Sequence, residues 1–394
     1  MTDSEFAIVL ICIGALLTAA FITTNLSQRF GIPSLLLYLG LGIFIGNGGP
    51  SDFLFDDPKR VERAAELALG LILFKGGYEF RHSLWKKQRV LLEGVSLAVG
   101  GTLLTALFTS LAAHFLLGWS WLESWLLGSV LSSTDAAAVF SVFASSGLRT
   151  KNHEMEVLEL ESSTNDPLAY GLVMGIIAAF ESGAFSLWEL STTVLEGLLF
   201  GLIVGGVVGL ILVVLTGFVG QKQGTLELLW LAVLTSALGL AELTAANPLI
   251  TAFAAGVVLS SKRDVQVDFW GPLVVLSEVV LFLLLGLQSF PNLIFQHAEI
   301  ALLITFWLML VSRPLAVLAI SPFFRRDFKR SLFISWAGLR GASPIVFGLL
   351  PVIADVPRAQ EVFATVFTVV VVSVSIQGTT LSAVARKLGV VSDA

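Results

Sequence analysis

Uninterrupted apolar runs dominate this chain, and no other feature so narrows what it can fold into. A helix that crosses a bilayer needs about 20 mostly apolar residues. Such runs place spans at 6–26, 30–47, 61–78, 90–117, 122–144, 157–180, 190–218, 225–243, 247–260, 272–289, 297–320, 331–352 and 361–385, thirteen in all. They take up nearly all of the 394 residues, so the expectation is one transmembrane domain over 1–394 with no soluble regulatory domain. The runs are continuous rather than alternating, which excludes a membrane β-barrel. Charged residues make up 13% of the sequence, against roughly 25% in soluble domains. The first run follows Asp3 and Glu5 rather than a basic stretch and has no small-residue cleavage site, so it reads as a retained helix.

Loop charges test the count. With the N-terminus outside and the C-terminus in the cytoplasm, sixteen of the 23 basic residues fall in inner segments. They are Arg29, Arg81, Lys86, Lys87, Arg89, Arg149, Lys151, Lys222, Lys262, Arg263, Arg325, Arg326, Lys329, Arg330, Arg386 and Lys387. Outer segments hold Lys59, Arg60, Arg63 and Arg358, whereas Lys75, Arg313 and Arg340 fall within spans. That bias agrees with the positive-inside rule. An odd count accommodates two inverted six-helix repeats, 6–180 and 225–385, around a linking helix at 190–218. Spans 5 and 12 then correspond, and both carry polar, helix-interrupting residues in mid-span: Ser132, Ser133, Thr134 and Asp135 in one, Gly338, Arg340, Gly341, Ser343 and Pro344 in the other. Matched broken helices in inverted halves point to an ion site near the midplane of a secondary transporter.

Ionisable residues inside a membrane are costly, and each is a candidate for function. The densest group is Glu161-Ser162-Ser163-Thr164-Asn165-Asp166-Pro167 in span 6. Ser162 and Asp166 are four apart and share a helix face. Pro167 has no N–H, so the carbonyl of Ser163 loses its helical partner. A carboxylate, a hydroxyl and nearby carbonyls can replace part of a cation's hydration shell, and Asp166 can take a proton instead. One group that holds either ion is the minimal chemistry of antiport. Thr134 can add a backbone or hydroxyl oxygen. Asp135 is either a second ligand or a charge offsetting helix-end dipoles. Arg340 stays charged and needs a partner, for which Glu161 is the natural candidate. Arg313 is either a second residue offsetting helix dipoles or a salt-bridge residue, with Glu278 as a weaker partner. Lys75 either snorkels to the inner surface or reaches the cavity to pair with a carboxylate. Glu66 and Glu93 have no assigned role. Asn247-Pro248 reads as an ordinary helix start, His114 as an interfacial histidine, and Trp119, Trp121 and Trp125 as an aromatic belt.

Other chemistries find no support. The single Cys12 excludes a disulfide scaffold. There is no zinc-ligand spacing, Walker A sequence or dinucleotide fingerprint, so no cofactor and no enzymatic activity is expected. A net charge of -6 without a long basic tract argues against nucleic acid. A cation channel, or an ion-sensing membrane protein without coupled exchange, remains as an alternative to antiport; the first would need a filter ring, and the second leaves the buried charge unexplained.

Three segments resemble one family: Ser133 to Phe140, Glu161 to Pro167, and Gly338-Leu339-Arg340-Gly341. Together, and in this order, they are similar to the bacterial monovalent cation/proton antiporters of the CPA1 type, the NhaP-like branch, over almost the whole chain. The span 5 pattern is closest to the potassium/proton members. The resemblance implies an inner-membrane protein of the NhaA/NhaP-like fold with crossed discontinuous helices, exchanging Na+, Li+ or K+ for H+. It implies that Asp166 binds cation and proton, that Asn165 beside it marks an electroneutral branch, and that Ser162 and the Thr134 backbone are cation ligands. It further implies that Glu161 and Arg340 form a structural ion pair, that Asp135 belongs to the helix crossing, and that the protein is a homodimer moving as an elevator. Family members commonly have an acidic residue where this chain has Lys75, and many carry a cytosolic C-terminal regulatory domain.

Overall fold

The computed structural model describes residues 33–47, 55–79, 87–219, 225–262 and 270–393, with four isolated positions near the N-terminus. The span expected at 6–26, Cys12, and the basic residues Arg29, Arg81, Lys86, Lys222 and Arg263 lie outside the described residues.

In chain order the helices are α1 (Ser34–Ile45), α2 (Pro58–Glu79), α3 (Gln88–Leu117), α4 (Trp121–Val130), α5 (Ala136–Ser146), α6 (Glu154–Ser182), α7 (Leu187–Val219), α8 (Thr225–Leu243), α9 (Pro248–Leu259), α10 (Trp270–Leu287), α11 (Pro291–Gln296), α12 (Ala298–Phe324), α13 (Phe328–Trp336), α14 (Ala342–Ile353) and α15 (Ala359–Leu388). Among the described residues, six helices are long and apolar enough to cross a membrane: α3, α7, α8, α10, α12 and α15. The long helices α2 and α6 fall short of that standard because charged and polar side chains interrupt their apolar runs. The runs expected at 122–144 and 331–352 are each two half-helices, too short singly to span, because polar and glycine residues interrupt them. Among the described residues the regular structure is helical but for one antiparallel pairing of β1 (Leu148–Thr150) with β2 (Val391–Asp393), which joins the α5–α6 linker to the end of the described chain.

The helices pack in two groups. In one, α9 lies between α2 and α7, with α10 against α1 and α2 and with α8 against α7. The α2–α9 contact is backbone on backbone: a Cβ at Gly77 would collide with the carbonyl of Phe253, and one at Gly256 with that of Phe74. Small residues permit such approach where apolar burial alone cannot drive helices together. In the other group, α3 packs on α4, α6 and α12, and α15 packs on α12 and α14. Ion pairs hold this second group at one end: Arg326 Nε–Glu93 Oε1 at 2.6 Å, Arg330 Nε–Glu154 Oε1 at 2.5 Å and Lys87 Nζ–Glu156 Oε1 at 2.9 Å. Glu93 thus has a partner that sequence did not identify. At the opposite end Arg358 bonds Glu123 and Glu361, and His114 stacks on Trp121 while its Nδ1 meets Trp119 O at 2.7 Å. The outward face of α7, including Leu199, Ile203 and Leu210, is exposed apolar surface suited to lipid.

Candidate functional site

The site is built where two helix breaks cross. The chain leaves α4 at Val130 and enters α5 at Ala136; it leaves α13 at Trp336 and enters α14 at Ala342. The two extended segments bond directly, Asp135 N to Leu339 O at 2.8 Å. Each break exposes helix ends, whose unpaired carbonyls and N–H groups need partners in an interior without water. Arg340 supplies one set: its Nη1 donates to Ser132 O at 3.1 Å and to Ser133 O, beyond the C-terminal end of α4. A cation there complements the negative end of the helix dipole. Its backbone N–H donates to Ser373 Oγ of α15 at 3.1 Å. Asp135 takes the converse place. It precedes the first residue of α5 and its carboxylate lies so close to Gly341, which precedes α14, that a Cβ at Gly341 would overlap it. The Asp135 carboxyl group thus lies at the starts of both α5 and α14.

The pairing of Glu161 with Arg340 is corrected by the structure. Glu161 instead receives a two-pronged contact from Arg313 of α12, Nη1 to Oε1 at 2.6 Å and Nη2 to Oε2 at 2.9 Å. Both residues are fully buried. Gly338 makes room for this guanidinium, since a Cβ there would strike Arg313 Nε. Arg340 is drawn away because the orphan carbonyls of α4 offer it acceptors within its own crossing. The alternative of Arg313 with Glu278 falls for the same reason: Arg313 is already engaged by Glu161, and Glu278 lies on α10 at the cavity wall.

Asp166 lies on α6 against the crossing. Ser133 Oγ donates to its Oδ1, and Ser343 Oγ donates to its Oδ2 at 2.7 Å. One hydroxyl comes from each break, so the carboxylate bridges the two broken elements. Ser162 Oγ donates to Thr134 O at 2.9 Å and accepts from Ala136 N at 3.1 Å. Asn165 Nδ2 donates to Thr134 Oγ1 at 2.6 Å, while its Oδ1 is buried without a partner. The structure therefore brings together Asp166, Ser162, Thr134, Asn165 and Asp135. In the sequence Ser133 and Ser343 stand out only as interruptions, and their direct bonds to Asp166 emerge from the fold. The available signal was that each sits in one of the two interrupted runs.

A cavity of about 280 Å³ reaches this point. Asp166, Asp135, Ser162, Ser163 and Ser343 line its inner wall, and Lys75, Glu79, Glu159 and Glu278 line it toward the end of the molecule that carries Lys87 and Arg330. Lys75 faces this cavity, with Nζ 3.4 Å from Glu79 Oε1. At the far side Leu69 separates the cavity from a much smaller one lined by Glu62, Glu66, Tyr170 and Phe347. The Tyr170 and Phe347 rings meet edge-on at 5.9 Å and fill that side. A third cavity of about 400 Å³ opens at the opposite end, lined by Asp56, Gln288, Asn292 and the end of α14. Pro167 remains inside a continuous α6, and Pro344 lies in the first turn of α14, where a missing N–H costs nothing.

Residues 16–387 match the family model described as sodium/hydrogen exchanger, transmembrane. The chain is 34% identical over 383 residues to a K(+)/H(+) antiporter NhaP of Alkalimonas amylolytica, covering 96% of this chain and 66% of the relative. It is 34% identical over 391 residues to K(+)/H(+) antiporter NhaP2 of Shewanella oneidensis, covering 95% and 66%. The chain thus spans just under two thirds of the length of these relatives. The structure of the sodium proton antiporter MjNhaP1 from Methanocaldococcus jannaschii at pH 8 superposes with a TM-score of 0.77 at 22% identity, covering 94% of this chain and 99% of that one. The fold is accordingly the NhaA/NhaP-like arrangement of a polytopic helical membrane protein.

Proposed function

The chain belongs to the sodium/hydrogen exchanger family, and from that premise we propose that it exchanges K+ or Na+ for H+ across a bacterial inner membrane by competition of the two ions for Asp166. The observation that carries this reading is a buried carboxylate at the crossing of two broken helices, held by one hydroxyl from each and facing a polar cavity. The relatives named K(+)/H(+) antiporters favour potassium.

The ligand set follows from the oxygens at hand. A dehydrated cation entering the cavity meets the Asp166 carboxylate, the Ser162 hydroxyl and the Thr134 carbonyl; Asn165 holds Thr134 in place. Both loaded forms of the site are neutral at Asp166, one as carboxylic acid and one as carboxylate with a monovalent cation. The empty carboxylate is charged, and carrying a bare charge past apolar walls is costly. Exchange of one cation for one proton without net charge, and without leak, follows from that difference. Arg313–Glu161 and Arg340 hold the frame, Asp135 steadies the crossing, and Lys75 and Glu278 set the charge at the cavity mouth. The apolar wall of Leu69, Tyr170 and Phe347 favours exchange over conduction, since a channel needs a continuous polar path. Cavities at opposite ends of α14 suit an elevator movement of the second helix group past the first, within a homodimer of thirteen-span subunits, N-terminus outside.

The test is the pH change in everted vesicles on adding LiCl, NaCl, KCl or RbCl across a range of pH. Wild type dissipates the proton gradient with one or more of these salts. Asp166→Asn, which keeps the size but binds neither ion as a charge partner, abolishes the response at wild-type protein levels. A normal response from that variant refutes the site assignment.

A further inference from the structure

Asn247 was expected only to start a helix, and it does so: its Oδ1 accepts from Leu249 N at 3.0 Å and Ile250 N at 3.2 Å, a side-chain cap on α9. Its backbone N–H donates to Gly197 O of α7 at 2.9 Å. Those bonds stay within the helix group of α2, α7 and α9. The remaining side-chain atom does not. Nδ2 donates at 2.7 Å to Pro167 O, the carbonyl next to Asp166 in α6. Asn247 is 4% exposed, so breaking the bond leaves a buried amide short of a partner. A carbonyl has two lone pairs and can serve its helical partner and the amide together.

Beside this bond α7 meets α6 through apolar contact, with Val194 over Gly171 and packed with Leu168 and Leu172. Apolar faces can slide with little change in energy, whereas a buried hydrogen bond has one register. We propose that Asn247 is a positioning residue that latches the site helix to the α2–α7–α9 group in the state seen here, and that presenting Asp166 to the opposite face requires this amide bond to break. The latch rests on the exchange reading above. The amide fixes the carbonyl beside Asp166 and leaves the carboxylate itself to the serine hydroxyls, so its loss biases which face the site opens to without altering the ligands.

That bias has a distinct signature. The apparent dissociation constant at each face scales inversely with the fraction of protein open to that face. One net hydrogen bond corresponds to about a fivefold change in the ratio of the two states. Asn247→Ser keeps a cap on α9 but is too short to reach Pro167 O. Half-saturating cation concentration is measured for exchange in everted and in right-side-out vesicles. The expected result is that the ratio of inner to outer values rises about fivefold. A structural defect would change both faces by the same factor, and that outcome overturns the latch, as does an unchanged ratio. Loss of exchange in a variant that melts like wild type assigns Asn247 to ion binding and also overturns it. If the serine variant does not accumulate, Asn247→Thr, another capping residue, carries the same measurement. Asp166→Asn separates the two readings: if it retains exchange, the site assignment fails; if it abolishes exchange while the serine variant leaves the ratio unchanged, the latch alone fails.

Discussion

Two buried arginines share the centre of this protein and do different jobs. Arg313 neutralises a carboxylate, and Arg340 satisfies carbonyls. Breaking a buried pair by removing one partner costs roughly 3–5 kcal/mol, because the other charge is left alone. Arg313→Gln is therefore expected to destabilise the protein by about that amount, read as a lowered melting temperature in detergent. Adding Glu161→Gln to it restores most of the loss, because a neutral amide pair replaces a lone charge. The same addition to Arg340→Gln restores nothing, since the carbonyls beyond α4 stay unsatisfied. Sequence located all three groups at mid-membrane but paired Glu161 with the wrong arginine. Depth is legible in a sequence; the direction in which a side chain points is less so. A π-helical turn at Leu308–Ser312 lies immediately before Arg313, and another at Leu97–Gly101 flanks the pair. Each inserts into the regular 3.6-residue progression and rotates the residues beyond it, so extrapolating helix faces across it misplaces the guanidinium.

At the scale of elements, the broken helices were the most legible part of the fold. Ser132 to Asp135 and Gly338 to Pro344 put polar, glycine and proline residues where a continuous span needs apolar ones, and both spans interrupt there. What could not be read was how closely the breaks approach. That depends on Gly341, whose missing side chain is the space that the Asp135 carboxylate occupies. Gly341→Ala must push the two segments apart. Expected is a loss of exchange of tenfold or more in everted vesicles, with membrane insertion intact, because both half-helices keep their own backbone bonds. The β1–β2 ribbon was not anticipated. Three-residue strands leave almost no pattern to read, and their pairing joins Leu148 to Asp393 across most of the chain.

On the scale of the whole molecule, six helices among the described residues are long and apolar enough to cross a membrane, while α2 and α6 bring polar side chains to the interior. The cavity that reaches Asp166 opens toward the Lys87–Glu156 end and is walled off from the other by Leu69, Tyr170 and Phe347. Ser163 lines it. In a background where Cys12 is replaced by serine, Ser163→Cys is expected to react with a membrane-impermeant thiol reagent in everted vesicles and more slowly in right-side-out ones. Equal reactivity from both sides would contradict the seal, and the reverse preference would invert the orientation deduced from the loop charges.

The carboxylate at the centre depends on a partner that is made late. Ser133 precedes Asp166 by 33 residues, but Ser343 follows it by 177. A ribosome adds roughly 5–20 residues per second, so about 10–35 s pass between synthesis of the aspartate and of its second hydroxyl donor. Through that interval a membrane-inserted α6 carries an acidic group with half of its final shell. The nascent first half therefore needs the protonated acid, trapped water or a chaperoning insertase beside it. Insertion of this chain is a timed assembly in which the site is completed only near the end, when α14 arrives.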